Sequence, residues 1–235
     1  MVRNDPDSYV SELYRMLHAN LKFISAQRAP KVILTTSSVP GEGKSTITAN
    51  LAAAISQLGK KVLLIDGDLR KPSQSILWEL TNVTGIKEVI DGSRPFANSV
   101  YQPMPKLDLL LAGNRISNPL AILDSPEMGK LIALCRKNYD LILIDSPPLP
   151  VRADVLTLSK LVDGILFVSR IGVLDQESAD MAHETLDAIQ SNILGMVING
   201  VKSNELDKYS YASRYGNQYL NGKSANASSQ NYSKR

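Results

Sequence analysis

The chain is poor in the residues that small domains use as staples: one cysteine, Cys135, in 235 residues, with two histidines, one tryptophan and 6% aromatic content. A single thiol closes no internal disulfide, so Cys135, inside a helical pattern, is expected as a packed core thiol of a reducing compartment. No apolar run approaches the ~20 residues that a membrane span needs. No signal peptide opens the chain, and this stretch reads as cytosolic in character, with the question of a longer, membrane-anchored polypeptide left open. The body also lacks a basic stripe with interleaved aromatics. Six Lys/Arg and two Asp/Glu lie between Lys202 and Arg235, so the tail carries +4 against +3 for the whole chain. Nucleic-acid binding is therefore not expected.

What is present suffices for one sizeable core: 43% hydrophobic and 21% charged residues. Uniformly apolar runs at Val32–Thr36, Val62–Asp66, Leu107–Leu111, Leu141–Asp145, Gly164–Ser169 and Leu194–Asn199 read as strands too apolar to face water on one side. Helical patterns alternate with them near Ser45–Leu58, Ser73–Leu80, Ser125–Lys137, Asp154–Leu161 and Gln176–Gln190, and one precedes them from Ser8 to Ile24. The alternation predicts an α/β fold, a doubly wound, mainly parallel sheet flanked by helices, with ligands beyond the carboxyl ends of the strands.

Directly after the first run stands Ser38-Val39-Pro40-Gly41-Glu42-Gly43-Lys44-Ser45-Thr46. Small residues between a strand and a helix let backbone N–H groups converge on an anion at the helix N-terminus. In the Gly-x4-Gly-Lys-Ser/Thr phosphate loop the lysine reaches the β and γ phosphates and the hydroxyl ligates Mg²⁺, here Lys44 and Ser45. Ser38 takes the place of the usual first glycine, a change a tight turn tolerates. Nucleotide binding is thus expected across Pro40 to Thr46.

Two strands end in acids: Asp66, with Asp68 just beyond it, and Asp145. A carboxylate at the end of a buried strand must be paired or hold a metal. Beside a Mg-nucleotide loop, one such group orients the metal and another can take the proton of an attacking hydroxyl. Asn199 closes the last candidate strand, either reading adenine through its amide or capping the strand.

The two ends of the chain add further features. After Leu206 only Leu220 remains among Val, Ile, Leu, Met and Phe, while five of the nine tyrosines, Tyr209, Tyr211, Tyr215, Tyr219 and Tyr232, fall in the last 27 residues. A segment of this composition is expected to be a flexible tether of reachable hydroxyls, with docking onto the body or a neighbour as the alternative. The boundary is drawn between a domain over 1–206 and a tail over 207–235. In the first helical pattern Glu12, Arg15 and His18 recur at three-residue steps and are expected to share one face.

The phosphate loop, the Ile-Asp-Gly-Asp-Leu-Arg-Lys-Pro segment at 65–72, the Ile-Leu-Ile-Asp-Ser-Pro-Pro strand and the tyrosine-rich tail together resemble the bacterial tyrosine kinases of exopolysaccharide and capsule assembly. The resemblance runs from about Asp7 to the C-terminus. It implies the fold of P-loop ATPases of the partition and septum-site type, with ATP and Mg²⁺ as cofactors. By position it makes Lys44 and Ser45 the first phosphate motif, Asp66 the candidate base for the tyrosine hydroxyl, and Asp68 and Asp145 the acids serving magnesium. It further implies a homo-oligomeric ring that phosphorylates neighbouring tails through a Glu-x-x-Arg-x-x-Arg face, with His18 where the second arginine is expected. A membrane-protein activator segment, fused or separate, a protein-tyrosine phosphatase, and a place at the inner face of the plasma membrane follow from the same likeness. Each phosphorylation adds about −1.5 to −2 charges, so two or three reverse the sign of the tail and are expected to release it from a neighbour's acidic site. The competing reading is a nucleotide-gated assembly ATPase of the partition class. Against it, Val39 stands where those proteins carry a signature lysine, five residues before the phosphate-loop lysine.

Overall fold

Seven strands form one sheet: β1 (Val32–Ser37), β2 (Val62–Asp66), β3 (Val100–Met104), β4 (Leu107–Leu110), β5 (Leu141–Asp145), β6 (Gly164–Arg170) and β7 (Ile193–Asn199). Their order is β3-β4-β2-β5-β1-β6-β7, and every neighbouring pair is parallel except β3 with β4. The computed structural model describes residues 1–24, 29–149, 152–188 and 192–202. The chain divides into two units, Met1–Asn199 and Gly200–Arg235, and the fold is that of the first.

Alternation along the central strands supplies two cores. Val32, Leu34, Leu63 and Ile65 point to one face, where Ile86, Leu123, Met128, Leu131, Cys135, Val155 and Leu158 cover them. These come from α4 (Ile86–Ile90), α5 (Pro119–Leu123), α6 (Pro126–Asn138) and α7 (Arg152–Ser159), with Ala182 of α8 (Gln176–Ala188) joining the same cluster. Ile33, Val62 and Leu64 point the other way, against α1 (Tyr9–Phe23), α2 (Lys44–Gln57) and α3 (Gln74–Trp78). With both faces covered, parallel strands can be apolar throughout. Helix α2 buries Ala49, Ala52, Ala53 and Ala54, small side chains that suit close packing against the sheet. Cys135 is buried on α6, where desolvation pushes its thiol up to about 12, as suits an inert packed side chain.

Three expectations need correction. Strand β3 escapes the apolar-run criterion because Gln102 and Pro103 interrupt it, and an edge strand with an irregular register tolerates that proline. Strand β7 is not buried on both faces: Met196 and Ile198 are exposed, since it is the other edge of the sheet. The helical pattern at 73–80 shrinks to Gln74–Trp78, ended by Glu79 in the left-handed region at φ 57°. At its start α1 agrees with expectation, with the Ser8 hydroxyl accepting the Ser11 N–H as an N-cap.

Candidate active site

The carboxyl ends of β1, β5 and β2 bring Thr35, Asp145 and Asp66 into one row, for Thr35 pairs in register with Asp145 and Asp145 with Asp66. Hydrogen bonds between strand exits lock the row. The Gly67 N–H donates to the Asp145 carbonyl at 2.7 Å, and the Ser146 N–H to the Thr35 carbonyl at 3.1 Å. Glycine is required at 67 because a Cβ there would lie 2.8 Å from the Asp145 carbonyl oxygen.

The phosphate loop closes over this row. Gly43 caps α2 at φ 92°, and a Cβ on it would run into the Asn199 amide. Asn199 Nδ2 donates to the Glu42 carbonyl at 2.8 Å, so its amide holds the loop. The Glu42 side chain, fully buried, accepts the Val39 N–H at 2.8 Å and the Arg170 N–H at 3.2 Å, which fixes the turn from inside. Pro40, Gly41 and Thr46 are exposed around it. Lys44 Nζ lies 3.6 Å from Asp68 Oδ2 and 3.5 Å from Ser45 Oγ. Asp68 also accepts the Lys71 N–H at 3.0 Å.

The two strand-end acids are tied on one side only. Asp66 Oδ2 accepts the N–H groups of Ser73 and Gln74, at 3.1 and 2.9 Å, and Asp145 Oδ2 accepts Gln74 Nε2 at 2.8 Å. Their other oxygens, Oδ1 in each case, are buried and have no partner among the described residues. Burial raises the pKa of Asp66 well above the usual carboxylate value, and the neighbouring charge of Asp145 raises it further. Asp145 is raised to about 6, again chiefly by burial, against the pull of Lys44 and the hydrogen bonds from Gln74 and Ser45. Two desolvated carboxylates, each with one oxygen unpartnered among the described residues, beside a serine hydroxyl are a donor set for a hard divalent cation such as Mg²⁺, which keeps water and phosphate ligands besides. Among the described residues no three His, Cys, Asp or Glu side chains form a cluster able to hold a metal ion by themselves.

Residues 33–222 match the family described as the CobQ/CobB/MinD/ParA nucleotide binding domain. The tyrosine-protein kinase YwqD of Bacillus subtilis (strain 168) is 38% identical over 208 residues, 88% of this chain and 88% of its own. The chain belongs to the bacterial protein-tyrosine kinases. Tyrosine-protein kinase etk of Escherichia coli (strain K12) is 31% identical over 212 residues, 89% of this chain but 29% of its own length. Among solved structures, the chimerical protein CapA2B2 superposes with a TM-score of 0.80 and 31% identity, over 84% of this chain and 87% of that one. No described helix of the kinase is long and apolar enough to cross a membrane.

Of the residues singled out by sequence, Lys44, Ser45, Asp66, Asp68 and Asp145 converge in this kinase. The three of the first helix do not stay together. Glu12 is exposed and forms an ion pair with Arg15 at 3.0 Å, whereas His18 is 8% exposed and faces the body. Three-residue steps fall 60° short of a full turn, so His18 sits about 120° round the helix from Glu12. It borders a cavity of about 210 Å³ with Lys22 and Lys60. The five tail tyrosines lie outside the described residues. Sequence reasoning passed over Gln74, which touches both acids, and left Arg70 and Asp154 unpaired. In the structure the Arg70 guanidinium grips the buried Asp154 through two bonds of 2.8 and 3.0 Å. No spacing rule links residues 84 apart, and a glutamine opening a short helix carries no local mark of its contacts.

Proposed function

We propose that this kinase, with ATP and Mg²⁺, phosphorylates the tail tyrosines Tyr209, Tyr211, Tyr215, Tyr219 and Tyr232 of a neighbouring copy. The observation that carries this is the pair of strand-end carboxylates, each presenting one unpartnered buried oxygen beside Lys44 and Ser45. Lys44 and the N-terminus of α2 neutralise the phosphates, while Ser45 and Asp145, with Asp68, would hold the metal. When bound, that ion supplies positive charge to the β and γ phosphate oxygens. Asp66 accepts the proton of the tyrosine O–H as the new O–P bond forms and the bond to ADP breaks. Its raised pKa makes it a better base than an ordinary carboxylate, and a tyrosine hydroxyl near 10 needs one.

Glu12, exposed on α1, and its half-buried partner Arg15 serve contacts between copies, and phosphorylated tails leave the assembly. A membrane-protein segment activates the kinase at the inner face of the plasma membrane, a phosphatase resets it, and the cycle regulates polysaccharide synthesis or export. The test is incubation of the full chain with Mg-ATP beside Lys44→Met, with modified residues mapped by mass spectrometry. Phosphate on Tyr209 to Tyr232 that vanishes in Lys44→Met is the expected result. A Lys44→Met chain mixed with a tail-truncated active chain should regain it, since transfer runs between copies. Tight nucleotide binding with every tyrosine unmodified would favour the assembly ATPase instead.

A further inference from the structure

Gln74 is fully buried and makes four hydrogen bonds around the site. Its backbone N–H holds Asp66 Oδ2 at 2.9 Å. Its side-chain amide donates one proton to Asp145 Oδ2 at 2.8 Å and the other to the Ser45 carbonyl at 3.1 Å. The amide oxygen accepts the indole N–H of Trp78 at 3.2 Å. That last bond decides the orientation. An indole only donates, so the amide oxygen must face Trp78 and both amide protons must face the site. Trp78 is 3% exposed, packed in the core of its face of the sheet and capped by the Arg3 guanidinium at 5.4 Å, so it cannot easily turn away.

We propose that Gln74 is a positioning residue that prepares both acids for the metal and the acceptor. Its backbone N–H and side-chain amide occupy Oδ2 of Asp66 and of Asp145 and leave the buried Oδ1 of each without a partner among the described residues, and through the Ser45 carbonyl it fixes the start of α2 against the same pair. The amide works through Asp145 and Ser45, while the backbone N–H holds Asp66, and neither touches a reacting atom. A merely space-filling role does not require two donors aimed at acceptors on two different elements, nor a donor-only partner behind them.

The inference rests on the magnesium site of the proposed function, so its test reads binding and not turnover alone. Nucleotide affinity is measured on the full chain with ADP over a range of Mg²⁺ concentrations and in its absence, with the fluorescence of Trp78, the only tryptophan, as a second signal. Gln74→Met keeps length and loses both donors. It should raise the Mg²⁺ concentration for half-maximal tight binding by about 10–100-fold, the usual cost of losing a partner behind a metal ligand. Affinity for ADP without Mg²⁺ should stay within about threefold, well under the factor of ten that marks a lost direct contact. Trp78→Phe keeps Gln74 but frees its amide to turn, and should shift the Mg²⁺ dependence in the same direction by less. If the Mg²⁺ dependence is unchanged in whichever variant folds, as judged by its thermal transition, Gln74 only fills space and the proposal falls. Shifted Mg²⁺ dependence in a chain that phosphorylates nothing would sustain Gln74 as a positioning residue and sink the autokinase reading instead.

Discussion

Replacing Asp145 by asparagine should make the nucleotide-free kinase more stable near neutral pH while removing its response to Mg-nucleotide. The carboxyl is fully buried, and its pKa is raised to about 6 by burial, from 3.8 in a solvated chain. Between those two values the folded state keeps a proton that the unfolded chain releases, so folding stability falls as pH rises through that window. Two units at about 1.4 kcal/mol each put the cost of the ionised group near 3 kcal/mol above about pH 7. Asparagine keeps the shape, still accepts from Gln74, and carries no charge to desolvate. Urea unfolding in the presence of EDTA, from about pH 4.5 to about pH 7.5, gives the comparison, with the difference between variant and parent as the readout. That difference should be about 1 kcal/mol at the acid end, where the unfolded carboxyl is already mostly ionised, and reach roughly 3 kcal/mol in favour of Asp145→Asn at the neutral end. Adding Mg-ADP should stabilise the parent and leave the variant nearly unmoved. An asparagine variant less stable than the parent at about pH 7.5 would refute the claim that this site is a strained, desolvated acid.

Asp68→Asn removes the carboxylate 3.6 Å from Lys44 and a negative charge near the phosphates, so Mg-free ATP should bind about 3–10-fold tighter while turnover falls, a split between affinity and kcat seen in nucleotide titration beside a kinase assay. Gly43→Ala places a Cβ against the Asn199 amide in a left-handed position that costs about 1–2 kcal/mol, so nucleotide affinity should drop at least about tenfold while circular dichroism stays that of the parent. His18, its imidazole pushed down to about 4 by burial and by Lys22 and Lys60, stays neutral when the unfolded chain takes up a proton. Its stability contribution is complete above about pH 6.5 and is lost as pH falls toward 4. His18→Gln should therefore flatten the acid limb of the stability profile by roughly 2 kcal/mol, an amount reduced from the full shift because the ring borders a cavity. An unaltered acid limb would mean that His18 is protonated in the folded kinase.

The strands and acids that matter most were legible because the constraint on them is local. A strand covered on both faces must be apolar along its whole length, and an aspartate ending such a run has few roles open to it. The same rule misjudges edges: Met196 and Ile198 are as apolar as Ile33, yet both are exposed on the edge strand β7. Helix faces were misread for a different reason. Glu12, Arg15 and His18 recur at steps of three, but a period of 3.6 carries the third member off the exposed surface and into the body. Gln74 and the Arg70–Asp154 pair were illegible because their partners come from strands and helices that the sheet order alone brings together.

Stability and chemistry are in tension at the carboxyl ends of β2 and β5. Ordinary packing would neutralise Asp66 and Asp145 by giving each a cation or a full set of donors. Instead one oxygen of each is held by N–H groups and the other is left unpaired inside the protein. Such an arrangement persists only if its surroundings over-determine it, and they do: the Gly67 N–H on the Asp145 carbonyl, Ser146 on Thr35, and Gln74 between both acids and the start of α2. Lys44 faces Asp68 at 3.6 Å, too far for a strong hydrogen bond, so little is lost when phosphates draw it away. A rigid frame around unpaired acids and a loosely held lysine favour Mg-nucleotide as the partner that completes the site. Nucleotide binding should then stabilise this fold by more than its contacts with the loop alone provide, because it also removes the repulsion between the two carboxylates.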